Sequence, residues 1–160
     1  MDKNFVFEKL NNFSPDWIKK ADPSQSVTEI LQQTLSQVLP GLIGMKVEYL
    51  DDEKIIGTVP YSHQTANVVG YMHGGTIFTT GDSLAGTFLW TKSEANQYAI
   101  TIRSEIKYLK PFKQGVLKCT VTEKSRKDRV VVLEAIFEDE NNQIISTMIL
   151  DFLLMTIDCS

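Results

Sequence analysis

Cysteine is scarce in this 160-residue chain, with only Cys119 and Cys159. Two cysteines exclude a disulfide framework, and a lone pair of histidines, His63 and His73, leaves no spacing that would complete a zinc site. Such cysteine usage suits a reducing cytoplasm, the expected compartment. Positive charge is also short: 16 Lys and Arg stand against 20 Asp and Glu, a net charge of -4. A general nucleic-acid binder needs a basic surface to displace counterions from phosphate, so no nucleic-acid partner is expected. Nor does any apolar run approach the roughly 20 residues of a membrane span. The N-terminus mixes charges with aromatics through Asp2, Lys3, Phe5, Phe7, Glu8 and Lys9, so it lacks the apolar stretch of a secretory signal.

What is present, 42% hydrophobic and 22% charged positions, suits one domain with one core. Residues 1–25 are expected to form an N-terminal arm, irregular or briefly helical, because Phe5, Phe7, Phe13 and Trp17 are interrupted by Pro15. Residues 26–160 are expected to be the domain proper. Val27, Ile30, Leu31, Leu35 and Val38 recur at helical spacing after Ser26, with Glu29 completing a capping box. This predicts a helix over 26–39 stopped by Pro40-Gly41. Strands are predicted over 45–49 and 55–59, then a polar loop over 60–70.

A second helix is predicted over 75–90. Ile77, Phe78, Gly81, Leu84, Ala85, Phe88 and Leu89 share one broad arc, with Asp82 at its margin. Four alternating strands follow, separated by turn signals at 110–115, 124–128 and 138–142. The layout is α+β: a long central helix packed on one face of a curved antiparallel sheet.

Chemistry concentrates where the polar loop meets the second helix, from Asn67 to Asp82. Gly74 and Gly75 allow close approach of a ligand to backbone, and the first N–H groups of a helix lack internal partners while carrying the positive end of its dipole. That is a seat for a developing oxyanion. Asp82, flanked by Phe78 and Leu89, is expected to be partly desolvated and able to activate a water.

The pattern N-x5-H-G-G-x6-D formed by Asn67, His73, Gly74, Gly75 and Asp82 resembles the hotdog-fold acyl-CoA thioesterases of the phenylacetate-pathway (PaaI-like) family, over about 26–155. The resemblance implies a hotdog fold, the long helix wrapped by the sheet, and a homodimer or homotetramer with active sites between subunits. It implies hydrolysis of acyl-CoA to free acid and CoA without metal or cofactor, coenzyme A being part of the substrate. Asp82 looks like the general base or nucleophile and Gly74 like the oxyanion donor. Asn67 and His73 would order the thioester, with Asp82 acting from the opposite subunit. The family's water-holding hydroxyl corresponds to Thr101. Strand alternation, however, groups Thr101 with Arg103 and Glu105, away from core-facing Ile100 and Ile102, as a solvent-facing residue would be.

Between Arg103 and Arg129 basic residues exceed acidic ones by about six. Arg126, Lys127 and Arg129 are candidates for the CoA phosphates, or else a solvated hairpin tip. Gly-Asp-Ser-Leu at 81–84 superficially matches a serine esterase signature, but both histidines lie upstream of Ser83, where that chemistry needs one downstream. The alternatives left open are a hydratase or dehydratase of the same fold and a non-catalytic acyl-thioester-binding module.

Overall fold

A computed structural model describes residues 2–20, 22 and 24–156; Cys159 lies outside the described residues. The chain runs α1 (Lys3–Phe13), α2 (Val27–Leu35), α3 (Leu39–Leu42), β1 (Lys46–Leu50), β2 (Lys54–Pro60), α4 (Gly74–Lys92), β3 (Gln97–Tyr108), β4 (Val116–Lys127), β5 (Val130–Glu138) and β6 (Ile144–Thr156). The strands form one antiparallel sheet in the order β1-β2-β4-β5-β6-β3. The α+β layout expected from the sequence is therefore present, with α4 lying across the sheet's inner face.

Alternation along β4, β5 and β6 explains that face. Leu117, Cys119 and Val121, then Val131, Leu133, Ala135 and Phe137, then Met148, Leu150 and Phe152 all turn inward and are buried. Against them α4 sets Leu84, Ala85, Phe88 and Leu89, all fully buried. Each large side chain removed from water contributes about 1.5–3 kcal/mol. Gly81 makes this close packing possible, since a Cβ there would sit 2.8 Å from Met148 Sδ. Phe78 departs from the predicted arc: it is exposed on α4, while Ile77 takes the inward place.

Three expected segments differ in detail from the structure. The N-terminal arm, expected to be irregular or briefly helical, opens with a helix of 11 residues that ends before Pro15, started by Asp2, whose carboxylate accepts from Asn4 N–H. Its Val6 packs with Ile30 and Leu31 of α2. The second helix begins at the Ser26–Glu29 capping box but ends at Leu35, before Pro40. Pro40 does not act as the stop; it lies inside α3, near its start, where the missing N–H costs nothing. Third, the predicted turn at 124–128 is mostly strand: β4 continues to Lys127, and the reversal is confined to Asp128 and Arg129.

β3 is an edge strand 12 residues long. Its pairing with β6 slips between Thr101 and Arg103, where a bulge interrupts the alternation. Among the described residues no helix is long and apolar enough to cross a membrane.

Candidate functional site

The loop before α4 is tied down by backbone bonds at several points. Thr65, fully buried, accepts His73 N–H on its carbonyl at 2.7 Å and the Thr76 hydroxyl at 3.2 Å. Met72 N–H donates to Phe112 O at 2.7 Å, fixing the loop to the β3–β4 connection. Asn67 Oδ1 accepts Val69 N–H at 3.0 Å and Tyr71 N–H at 3.1 Å, so that oxygen organises the loop itself. Thr65 was not among the residues the sequence singles out, because its part is played mainly through backbone.

His73 is the N-cap of α4, and its Nδ1 accepts Gly75 N–H at 2.8 Å. In a neutral imidazole, accepting at Nδ1 places the ring proton on Nε2. The next donors, Thr76 N–H and Ile77 N–H, both turn to His73 O. Gly74 N–H alone in this first turn has no acceptor among the described residues. Gly75, expected to touch substrate, instead gives its N–H to the cap. Its lack of a side chain makes room for the imidazole, since a Cβ would come within 2.9 Å of His73 Nδ1.

Tyr108 joins this end of α4, although nothing in the sequence pattern marks it. Its hydroxyl donates to Gly74 O at 3.0 Å. Partial burial raises the phenol pKa, so it keeps its proton. Asn67, Gly74 and Tyr108 line an open cavity of about 400 Å³ together with Met72, Ile77 and Phe112.

Asp82 lies eight residues further along, half-buried on the flank of α4 that faces β3. Its Oδ1 accepts the Thr101 hydroxyl at 2.9 Å. Thr101 thus turns its hydroxyl to the helix while remaining exposed in the single chain, and Ile100 and Ile102, expected to face the core, are exposed as well, at 42% and 51%. The bulge after Thr101 breaks the alternation on which the solvent-facing expectation depended. On the same strand Ser104 Oγ is buried and has no hydrogen-bond partner. Ser83 sits inside α4, far from any loop that could expose a nucleophile.

The helix rise of 1.5 Å per residue separates Gly74 from Asp82 by about 12 Å. One carbonyl carbon cannot lie within reach of both in a single copy. The structure brings Asp82 to Thr101, and Asn67 and His73 to Gly74, as two separate groups.

Among the basic candidates, Arg126 is already engaged: its Nε and Nη2 bind Glu123 at 3.0 and 2.8 Å, a fork-to-carboxylate pair. It is therefore a poor candidate for phosphate. Lys124 likewise binds Glu134 at 2.8 Å. Lys127 and Arg129 are exposed at the hairpin end. No cluster of three or more His, Cys, Asp or Glu among the described residues is placed to hold a metal ion.

Residues 69–146 match the model of the thioesterase superfamily. A protein of Saccharolobus solfataricus, provisionally named an esterase, is 24% identical over 126 residues, covering 79% of this chain and 83% of its own. A thioesterase of Haemophilus influenzae superposes with a TM-score of 0.79 at 17% identity, covering 83% of this chain and 93% of its own. A mutant thioesterase of Pseudomonas aeruginosa gives 0.78 at 16% identity, over 88% and 99%. These structural likenesses show that the fold is the hotdog fold of thioesterases.

Proposed function

We propose that this chain, matched through its central segment to the thioesterase superfamily, hydrolyses acyl-CoA thioesters as a homo-oligomer of the phenylacetate-pathway type. The observation that carries the reading is the Thr101–Asp82 hydrogen bond of 2.9 Å. It fixes one carboxylate oxygen on the flank of the helix whose first N–H, at Gly74, has no acceptor among the described residues.

In this mechanism Gly74 N–H, aided by the α4 dipole, binds the oxyanion that forms as the thioester carbonyl becomes tetrahedral. Asp82 takes a proton from the attacking water, and Thr101 holds the carboxylate in place. The C–S bond then breaks and the thiolate of CoA departs, a good leaving group that needs little help. His73 keeps the first turn in register by occupying Gly75 N–H, and Asn67 shapes the loop beside it. Lys127 and Arg129 are the remaining candidates for the CoA phosphates.

The 12 Å gap is closed by a second copy, with Asp82 of one protomer meeting Gly74 of the other. The long β3 edge supports this arrangement, because a strand paired with β6 on one side only and carrying exposed Ile100 and Ile102 is a surface that another chain readily covers.

The test is thiol release from short, medium, long and aryl acyl-CoAs by the native protein and Asp82→Asn. Loss of the carboxylate should lower kcat at least ~100-fold with the fold intact. Hydration of an enoyl thioester without thiol release would replace hydrolysis by hydratase chemistry. Thermal stabilisation by acyl-CoA with neither reaction would make the chain a binding module.

A further inference from the structure

Glycine in the interior of a helix lowers its stability relative to alanine, so it usually answers a packing need. Gly86, in the middle of α4, answers none: a Cβ there would lie 3.8 Å from Phe152 Cε1, an ordinary contact. What Gly86 does border is an apolar pocket of about 270 Å³ between α4, β3 and the two N-terminal helices.

Two of its lining residues lie next to the Asp82–Thr101 pair along the chain: Gly86 is one helical turn beyond Asp82, and Ala99 is two residues before Thr101. Asp82, Gly86 and Trp90 follow one another at i, i+4 and i+8, stacked along one side of α4. Across from them Ala99 shares the inner face of β3 with Thr101. The neck is thus framed by two small residues, Gly86 and Ala99. Large side chains line the other end, Trp90 of α4, Leu10 of α1 and Leu31 of α2. Trp90 is held there from α1: Lys9 Nζ donates to its carbonyl at 2.9 Å and lies 5.0 Å from the centre of its ring.

We infer that this pocket receives the acyl group, and that Gly86 at its neck and α1 at its floor restrict the enzyme to apolar acyl groups of medium length. The inference rests on the hydrolase reading above, since it takes the Asp82–Thr101 pair as the place where the carbonyl is attacked. From Asp82 to Trp90 is about 12 Å along the helix. At ~1.3 Å per carbon that length holds at most about nine carbons, so a chain of six to eight, or a phenyl-ended one, fits within it. An apolar cavity of about 150 Å³ suffices for benzene, so the larger volume here leaves an acetyl group mostly without contacts. A palmitoyl chain would run into Trp90 and Leu10.

The deciding experiment measures kcat/KM for acetyl-, hexanoyl-, octanoyl-, phenylacetyl- and palmitoyl-CoA with the native protein, Gly86→Leu and Leu10→Ala. The native profile should peak at six to eight carbons, at least tenfold above acetyl and palmitoyl. Gly86→Leu should cut the octanoyl-to-acetyl ratio at least thirtyfold while its Tm stays level or rises, and Leu10→Ala should move the optimum to longer chains. A flat native profile, or an octanoyl-to-acetyl ratio unmoved by Gly86→Leu, overturns the inference. Calorimetric binding of uncleavable thioether analogues of the same lengths separates the two readings. A chain-length preference in binding that Gly86→Leu abolishes, with no thiol ever released, keeps the pocket and sinks the hydrolase. Hydrolysis without preference does the reverse.

Discussion

The two ends of α4 are treated in opposite ways. At its C-terminal end, where backbone carbonyls gather negative partial charge, α1 inserts Lys9, only 2% exposed. Its ammonium meets Trp90 O, Ser93 O and Ser93 Oγ at 2.9, 3.1 and 2.6 Å, three acceptors for three protons. At the N-terminal end His73 satisfies Gly75 N–H, while Gly74 N–H faces an open cavity. Both ends could have been sealed by side chains, and only one is. The sealed end anchors the fold, and the end with a donor to spare is where a ligand can gain what the protein has not already taken.

Gly74→Pro tests that contrast most severely. Proline at the first helical position keeps the helix and deletes its N–H, and the extended backbone of His73 tolerates a following proline. Thiol release should fall about 10²–10³-fold, the usual effect of removing one oxyanion donor. Gly74→Ala is the control, because it adds the same Cβ against the Tyr108 ring while keeping the N–H. Equal losses in the two variants would assign the effect to Tyr108 displacement.

The sealed end should respond in stability. Lys9→Met removes the ammonium from Ser93 O and Ser93 Oγ and leaves Trp90 O with the Ser93 hydroxyl alone, which should cost about 1–3 kcal/mol and several degrees of Tm. A smaller effect follows from titration. Burial pushes the Lys9 pKa down to about 8 from 10.5. Between those values the unfolded chain binds this proton more tightly than the folded one, so the contribution of Lys9 to stability rises with pH. The Tm gap between native protein and Lys9→Met should therefore widen from pH 7.5 to 10. A constant gap would mean that the three acceptors fully compensate the charge.

Much of this was legible in the sequence where local rules operate alone. The Ser26–Glu29 cap, the inward alternation of β4 to β6 and the buried stripe of α4 all stand as residue patterns. Legibility failed where side-chain geometry or a distant element decided the outcome. Beside the bulge in β3 the Thr101 hydroxyl turns to the helix, and no local pattern announces it. Arg126 is neutralised by Glu123, three residues away, which a count of charge cannot reveal. Lys9 looks like a solvent-facing charge until the end of α4, more than 80 residues later, supplies its partners. The cap at His73 was visible only as a histidine before two glycines; that it uses up the N–H of Gly75 and spares that of Gly74 is a matter of geometry.

The separation of Gly74 from Asp82 along one helix also has a genetic consequence. In the proposed assembly each site draws one group from each subunit, so two inactive variants damaged at different groups complement one another. A mixed pair of Gly74→Pro and Asp82→Asn subunits holds one site with both defects and one with neither. Co-expressed and randomly paired, the two dead proteins should recover about a quarter of native activity, since half the pairs are mixed and each carries one whole site of two.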